Sequence, residues 1–261
     1  MGELSRRAML CAAGAAIVSP ALTGRAQAVP YLQAGFPKRG EITTGGQATV
    51  TRIATRQPLV ALTFDDGPHP RLTPQLLDLL KVNNVRATFY LIGNRIPRFP
   101  QLVARIAAEG HEIGNHTWSH PSLYGHSDGA VLSEIDRAAE AVRATTGLTP
   151  VTMRPPYGNF YPRQRLMLHQ TRGLPTVLWS VDPEDWRRPG SAVVAERIVS
   201  GSNPGDVVLA HDIHAATVRA MRPTLAGLHA RGFRFVTVSE LVGWPRWGQR
   251  EGQAAAMGRR G

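Results

Sequence analysis

Short apolar runs alternate with longer, helix-patterned stretches from about residue 58 to residue 243, and this alternation limits the fold more than any other feature of the chain. Strand candidates lie at 59–64, 87–92, 112–115, 151–154, 176–181, 207–210 and 235–238. Helix candidates lie between them, at about 73–83, 99–109, 128–146, 161–172, 191–200 and 217–231. Thr73-Pro74 reads as an N-cap followed by proline at the first helical position. Gly110, Gly147 and Gly232 fall where C-terminal caps belong. Strands joined in series through helices pair in parallel. Six or seven such units therefore predict an α/β fold around a parallel sheet, either closed as a barrel or doubly wound.

The flanks read differently. Residues 1–28, "MGELSRRAMLCAAGAAIVSPALTGRAQA", hold Arg6-Arg7, then an uncharged Ala-rich stretch, then Ala26-Gln27-Ala28 in the small-x-small cleavage pattern. Ser5-Arg6-Arg7 with Met9-Leu10 resembles a twin-arginine export signal, which implies a periplasmic or secreted protein without a stable membrane anchor after cleavage. Cys11 is the single cysteine, so a chain cleaved at Ala28 has no thiol for catalysis, metal ligation or disulfides. Residues 29–56 mix Pro, Gly and Thr and read as an arm or linker, 57–243 as the catalytic domain, and 244–261 as a disordered basic tail. The net charge is +11, yet the arginines are scattered, and no basic run interleaved with aromatics suggests nucleic acid.

Polar residues gather where candidate strands end. "TFDDGP" places Asp65 and Asp66 after the first strand. Adjacent strand residues face opposite ways, so two carboxylates reach one site only where the chain bends, and Gly67-Pro68 offers a bend. "NHTWSH" places His116 and His120 after the third strand, Arg154 closes the fourth in "RPPYG", Asp182 and Asp185 follow the fifth in "SVDPEDW", and His211 follows the sixth in "VVLAHD". Loops after the strands of a βα barrel share one face, where active sites occur. Each group has a plainer reading: a helix-capping Asp pair, a structural His pair, a surface Arg, a core Trp or a satisfied core His. Two imidazoles spaced H-x-x-x-H with a carboxylate from another strand end would hold an ion and leave coordination positions open, which suits catalysis. His69, His111, His126, His169, His214 and His229 have no such context and read as structural or surface residues.

"TFDDGP", "HTWSH", "RPPYG", "DPEDW" and "LAHD" together resemble the polysaccharide deacetylases, the NodB-homology domain of carbohydrate esterase family four, over about residues 57–243. The resemblance implies a distorted (β/α) barrel of about seven parallel strands. It also implies a divalent metal, foremost Zn2+ with Co2+, Ni2+ or Mn2+ as alternatives, and hydrolysis of N-acetyl groups on sugars. It casts Asp66, His116 and His120 as metal ligands, Asp65 as the general base and Arg154 as the residue that orients it. His211 becomes the general acid held by Asp185. The backbone N–H of Tyr157 becomes an oxyanion donor, and Trp186 and Leu209 become walls of the acetyl pocket. The expected partner is an N-acetylated polysaccharide or oligosaccharide: peptidoglycan, chitin oligomers or an exopolysaccharide. Alternatives are O-deacetylation of xylan on the same site, a non-catalytic carbohydrate-binding protein, and hydrolysis of a small cyclic amide.

Overall fold

The computed structural model describes residues 48–243 and Trp247. The expected export signal, most of the expected arm and nearly all of the expected tail lie outside these residues. Among the described residues no helix is long and apolar enough to cross a membrane.

Among the described residues, seven strands and seven α-helices follow one another, mostly in alternation. The strands are β1 Thr49–Val50, β2 Leu59–Asp65, β3 Thr88–Leu91, β4 Glu112–Asn115, β5 Thr176–Val177, β6 Asp206–His211 and β7 Arg234–Phe235. The helices are α1 Leu72–Val82, α2 Pro100–Ala108, α3 Asp128–Thr146, α4 Pro162–Arg172, α5 Ser191–Gly201, α6 Ala215–Ala230 and α7 Val238–Val242. β2 is buried along almost its whole length, as a strand covered on both faces must be. It pairs in parallel with β6 on one side and with β3 and β7 on the other, and β3 pairs with β4. Met153 then bridges Asn115 to Thr176, while Val181 bridges to Val208. Followed from β2 through β3, β4, Met153 and the 176–181 segment to β6, the pairings return to β2. The strand ladders proper form a five-stranded and a two-stranded sheet, which these single bridges join into an irregular barrel-type arrangement. Strand ladders that run only one or two residues are what distort it.

Several elements depart from expectation, each for a local reason. The strand expected at 151–154 shrinks to Met153, because Pro155 and Pro156 have no N–H to donate. The strand expected at 176–181 loses its middle, where the Arg154 guanidinium takes the carbonyls of Val177 and Leu178. The last strand stops at Phe235, since Thr237 becomes an N-cap in a capping box with Glu240. α1 starts at Leu72, so Thr73 is not its N-cap. The imidazole Nδ1 of His69 accepts from the backbone N–H groups of Arg71 and Leu72 instead. Nor is the stretch before residue 57 loose from Ala48 onward. β1 pairs with β5, Val50 and Ile53 are buried, and Ile53 N–H donates to the Gly205 carbonyl at 2.8 Å. Two buried residues spaced by polar ones are too short a pattern to read as a strand.

Candidate active site

The barrel brings the expected strand ends together. β2 and β6 are in register at their last residues, so Asp65 stands directly beside His211. β4 ends at Asn115, one residue before His116. Asp66 has φ +71°, so the bend that turns its side chain towards the same place occurs at Asp66 itself, just before the cis Gly67–Pro68 bond.

Among the described residues, Asp66, His116 and His120 form a group whose ligand atoms all lie within 4.8 Å of one another. Asp66 Oδ1 is 3.4 Å from His116 Nε2 and 3.0 Å from His120 Nε2. His116 Nδ1 lies 2.7 Å from the Arg154 carbonyl, which can only accept, so the proton sits on Nδ1 and Nε2 can offer a lone pair. Asp66 Oδ1 is buried without a hydrogen-bond donor in the neutral-imidazole arrangement. Three acceptors meeting in one place require positive charge between them. Burial alone would raise the Asp66 carboxyl, but the two imidazoles outweigh it and hold the group well below the usual carboxylate range. Two imidazolium ions with rings 4.8 Å apart would repel each other, whereas one divalent cation satisfies all three acceptors. The residues therefore fit a metal of the kind that takes mixed nitrogen and oxygen ligands.

Asp65 points elsewhere. Its Oδ1 accepts from Arg154 Nη1 at 2.7 Å, and its Oδ2 lies 3.8 Å from His116 Nε2. Arg154 is fully buried. Its other donors go to Thr63 Oγ1 and to the carbonyls of Val177 and Leu178, and its guanidinium lies 4.3 Å over the Tyr90 ring. A buried guanidinium is costly unless its donors are paired and one partner is a carboxylate. Here both conditions hold, and the ion pair fixes Asp65 beside the metal group without being part of it.

His211 is held just as firmly. Its Nδ1 is 2.8 Å from Asp185 Oδ1, while its backbone N–H and the Thr217 hydroxyl both donate to Asp185 Oδ2 at 2.8 Å. Burial would lower the His211 pKa, but the hydrogen bond and charge of Asp185, helped by Asp65 and Asp66, push it up to about 9. Burial would raise Asp185; its bonds to His211 and Thr217 leave it lowered instead.

The polysaccharide deacetylase pattern matches residues 52–174. A chitooligosaccharide deacetylase of Sinorhizobium fredii is 38% identical over 199 residues, which cover 71% of this chain and 92% of that protein. This chain belongs to the polysaccharide deacetylase family. The peptidoglycan-N-acetylglucosamine deacetylase PgdA of Listeria monocytogenes is 42% identical over 184 residues, 70% of this chain. The match takes in only 39% of that longer relative. Among solved structures, the Bc1960 peptidoglycan N-acetylglucosamine deacetylase superposes with a TM-score of 0.73 at 35% identity, covering 76% of this chain and 94% of that one.

The remaining expected residues of this family member fall as follows. Tyr157 has φ +60°, and its exposed ring packs edge-on against His120 at 4.9 Å. Leu209 is buried on β6, two residues before His211 and so on the same face. Trp186 is half-exposed under the Arg187 guanidinium. Asp182 caps its own turn by accepting from Glu184 N–H and does not join the cluster.

Sequence reasoning passed over two acidic residues. Glu134 on α3 accepts from Trp118 N–H at 3.0 Å, from Ser119 N–H at 2.8 Å and from the Ser119 hydroxyl at 3.0 Å. That carboxylate pins the loop between the two histidines, in which both Thr117 (φ +64°) and His120 (φ +62°) hold the left-handed conformation. Its only sequence signal is a glutamate on a helix, which reads as solvated. Asp212 is fully buried, hydrogen-bonded to the Thr73 hydroxyl and packed against Gly67, and burial pushes it up to about 7. A side chain at Gly67 would run into that carboxyl, which is why glycine follows the two aspartates.

Proposed function

We propose that this chain is an exported, metal-dependent polysaccharide deacetylase that hydrolyses N-acetyl groups of amino sugars. One observation carries the reading: a three-ligand metal group, a carboxylate gripped by arginine and an imidazole gripped by aspartate converge at the same strand ends. Amide hydrolysis needs these three parts, because water must be activated, a proton removed from it, and a proton returned to the departing amine.

Asp66, His116 and His120 would hold the ion, foremost zinc. When bound, such an ion lowers the pKa of water towards about 7 and polarises a carbonyl. Asp65, oriented by Arg154, takes the proton from the attacking water. The Tyr157 N–H is the candidate donor to the carbonyl oxygen as negative charge grows there, a contact worth about 3 kcal/mol where such donors have been removed. His211 carries a proton at neutral pH, and with Nδ1 bonded to Asp185 its Nε2–H is the group free to protonate the leaving sugar amine. Leu209 and Trp186 would flank the acetyl methyl.

The relatives are named for peptidoglycan and chitooligosaccharides, and both name N-acetylated glycans. The deciding experiment measures acetate released by the zinc-loaded protein from peptidoglycan fragments and chitin oligomers. Acetate from either, absent with Asp65→Asn, supports the reading. Zinc binding with no acetate from either glycan counts against N-deacetylation of these substrates and brings O-acetyl xylan and pure carbohydrate binding forward. Export rests on Arg6-Arg7 and the Ala-rich stretch behind them. Replacing both arginines by lysine should stop passage across the inner membrane, and unchanged accumulation outside the cytoplasm would refute the twin-arginine route.

A further inference from the structure

A buried chain of polar groups starts at the end of the barrel away from the candidate metal site. Thr88 and Glu112 are the first residues of β3 and β4, paired in register and fully buried. Two N–H groups of α7 close on them: Val238 donates to Thr88 Oγ1 at 2.9 Å, and Ser239 donates to Glu112 Oε2 at 2.8 Å. The Thr88 hydroxyl also reaches Glu112 Oε2, at 3.4 Å. The other carboxylate oxygen, Oε1, takes the Thr152 hydroxyl at 2.8 Å. Thr152 has one proton to give, so its oxygen is left to accept, and the Tyr90 hydroxyl donates to it at 3.2 Å. Thr152 and Tyr90 are fully buried too.

Tyr90 carries this chain to the site. Strand residues two apart share a face, so Tyr90 stands above Thr88, and Gly114 above Glu112. β4 rises about 10 Å from Glu112 to its last residue, Asn115, which precedes the ligand His116. Glycine at 114 leaves the room that the Tyr90 ring fills. The Arg154 guanidinium lies 4.3 Å over that ring, and its Nη1 donates to Asp65 at 2.7 Å. The ring is thus held at two points, under the guanidinium by its face and at Thr152 by its hydroxyl. A guanidinium attracted to a ring face follows the ring when the ring tilts. A misplacement of about 1 Å passed on to a reacting group can cost about a hundredfold in turnover.

We propose that Glu112, Thr152 and Tyr90 are positioning residues for the base Asp65. The carboxylate under α7 fixes the phenol through Thr152, and the phenol ring fixes Arg154 against Asp65. The proposal rests on the deacetylase reading for the role of Asp65, while the placement of Arg154 is testable without turnover. Four variants are compared with the wild type: Tyr90→Phe, Thr152→Val, Glu112→Gln, and Tyr90→Phe with Thr152→Val. All four nearly keep the replaced volume, and Glu112→Gln puts a donor where one of two accepting oxygens stood. The Arg154 Nε–H resonance in a nitrogen-15 spectrum reports the ring beneath the guanidinium and needs no activity. Acetate release by the zinc-loaded proteins gives kcat and KM. Each single variant should displace the resonance and lower kcat about tenfold to a hundredfold, with KM and zinc affinity kept. Tyr90→Phe and Thr152→Val break the same link, so the double variant should lose no more than the worse of the two. A merely structural role would lower Tm and leave kcat in place. A resonance unmoved in any single variant, or wild-type kcat beside a displaced resonance, overturns the proposal. Displaced resonances in a protein whose wild type releases no acetate would keep the placement of Arg154 and refute the deacetylase; acetate release with unmoved resonances would do the reverse.

Discussion

His211 Nδ1 lies 2.8 Å from Asp185 Oδ1, and the second oxygen of that carboxylate takes the backbone N–H of His211. One acid thus fixes both the place and the proton of the imidazole. With its pKa near 9, His211 stays charged at neutral pH, so activity that needs its proton should fall as pH rises through about 9. A cation at Asp66 cancels part of the carboxylate field and would move that limb lower. Asp185→Asn should move it further down, towards the ordinary 6.5, which a pH profile of kcat/KM for the two proteins checks.

The same pair sets a stability window. His211 is raised, so its contribution is complete below 6.5 and is lost as pH rises through about 9. Asp185 is lowered, so its contribution is complete above 3.8 and is lost as pH falls through its folded value. Denaturant titrations across pH should show this contribution greatest between those limits and absent in Asp185→Asn.

Arg154 places its donors on Asp65, Thr63 and two carbonyls. Lysine keeps the charge but not the fork. Arg154→Lys should lose turnover by orders of magnitude and cost about 3 kcal/mol of stability, in the range for a broken buried pair. Zinc affinity should change far less, because Arg154 touches the metal group only through the His116 bond to its carbonyl. Equal losses of zinc affinity and turnover would refute the separation between base and ligands.

Glu134 holds three donors of the loop between His116 and His120. Glu134→Ala should weaken zinc binding by about tenfold to a hundredfold, as loss of outer contacts to metal ligands does. Calorimetric titration of the metal-free protein with zinc measures this directly. Glu134→Gln, which keeps an acceptor oxygen, should recover part of the affinity.

Gly114 lies in β4 against the buried Tyr90 ring, and a methyl there would overlap that ring. Because Tyr90 underlies Arg154, Gly114→Ala should push the ring into the guanidinium, cost about 1–3 kcal/mol and lower turnover together. A variant with wild-type Tm and activity would show that the barrel interior has slack there.

The chain by itself specified which segments are strands and helices, because burial on both faces writes long apolar runs such as 59–64 directly into local sequence. It also specified the ends of those strands, where Asp65, Asp66, His116, Arg154, Asp185 and His211 stand out as polar residues closing apolar runs. The family motifs joined them into one expected site. The family resemblance also paired Asp185 with His211 and Arg154 with Asp65. Other partnerships were decided only by the tertiary structure: nothing local says that Glu134 clamps a loop 15 residues away, or that Asp212 packs on the Gly67 turn. Each is a short side chain whose function depends on what another segment places beside it. One weak strand was hidden for the same reason: Thr49–Val50 pairs over two residues and carries too little periodicity to be read. The runs 151–154 and 176–181 read as strands, but pair only at Met153, Thr176–Val177 and Val181. Hydrogen bonds supplied by distant segments, and not local propensity, hold them in place.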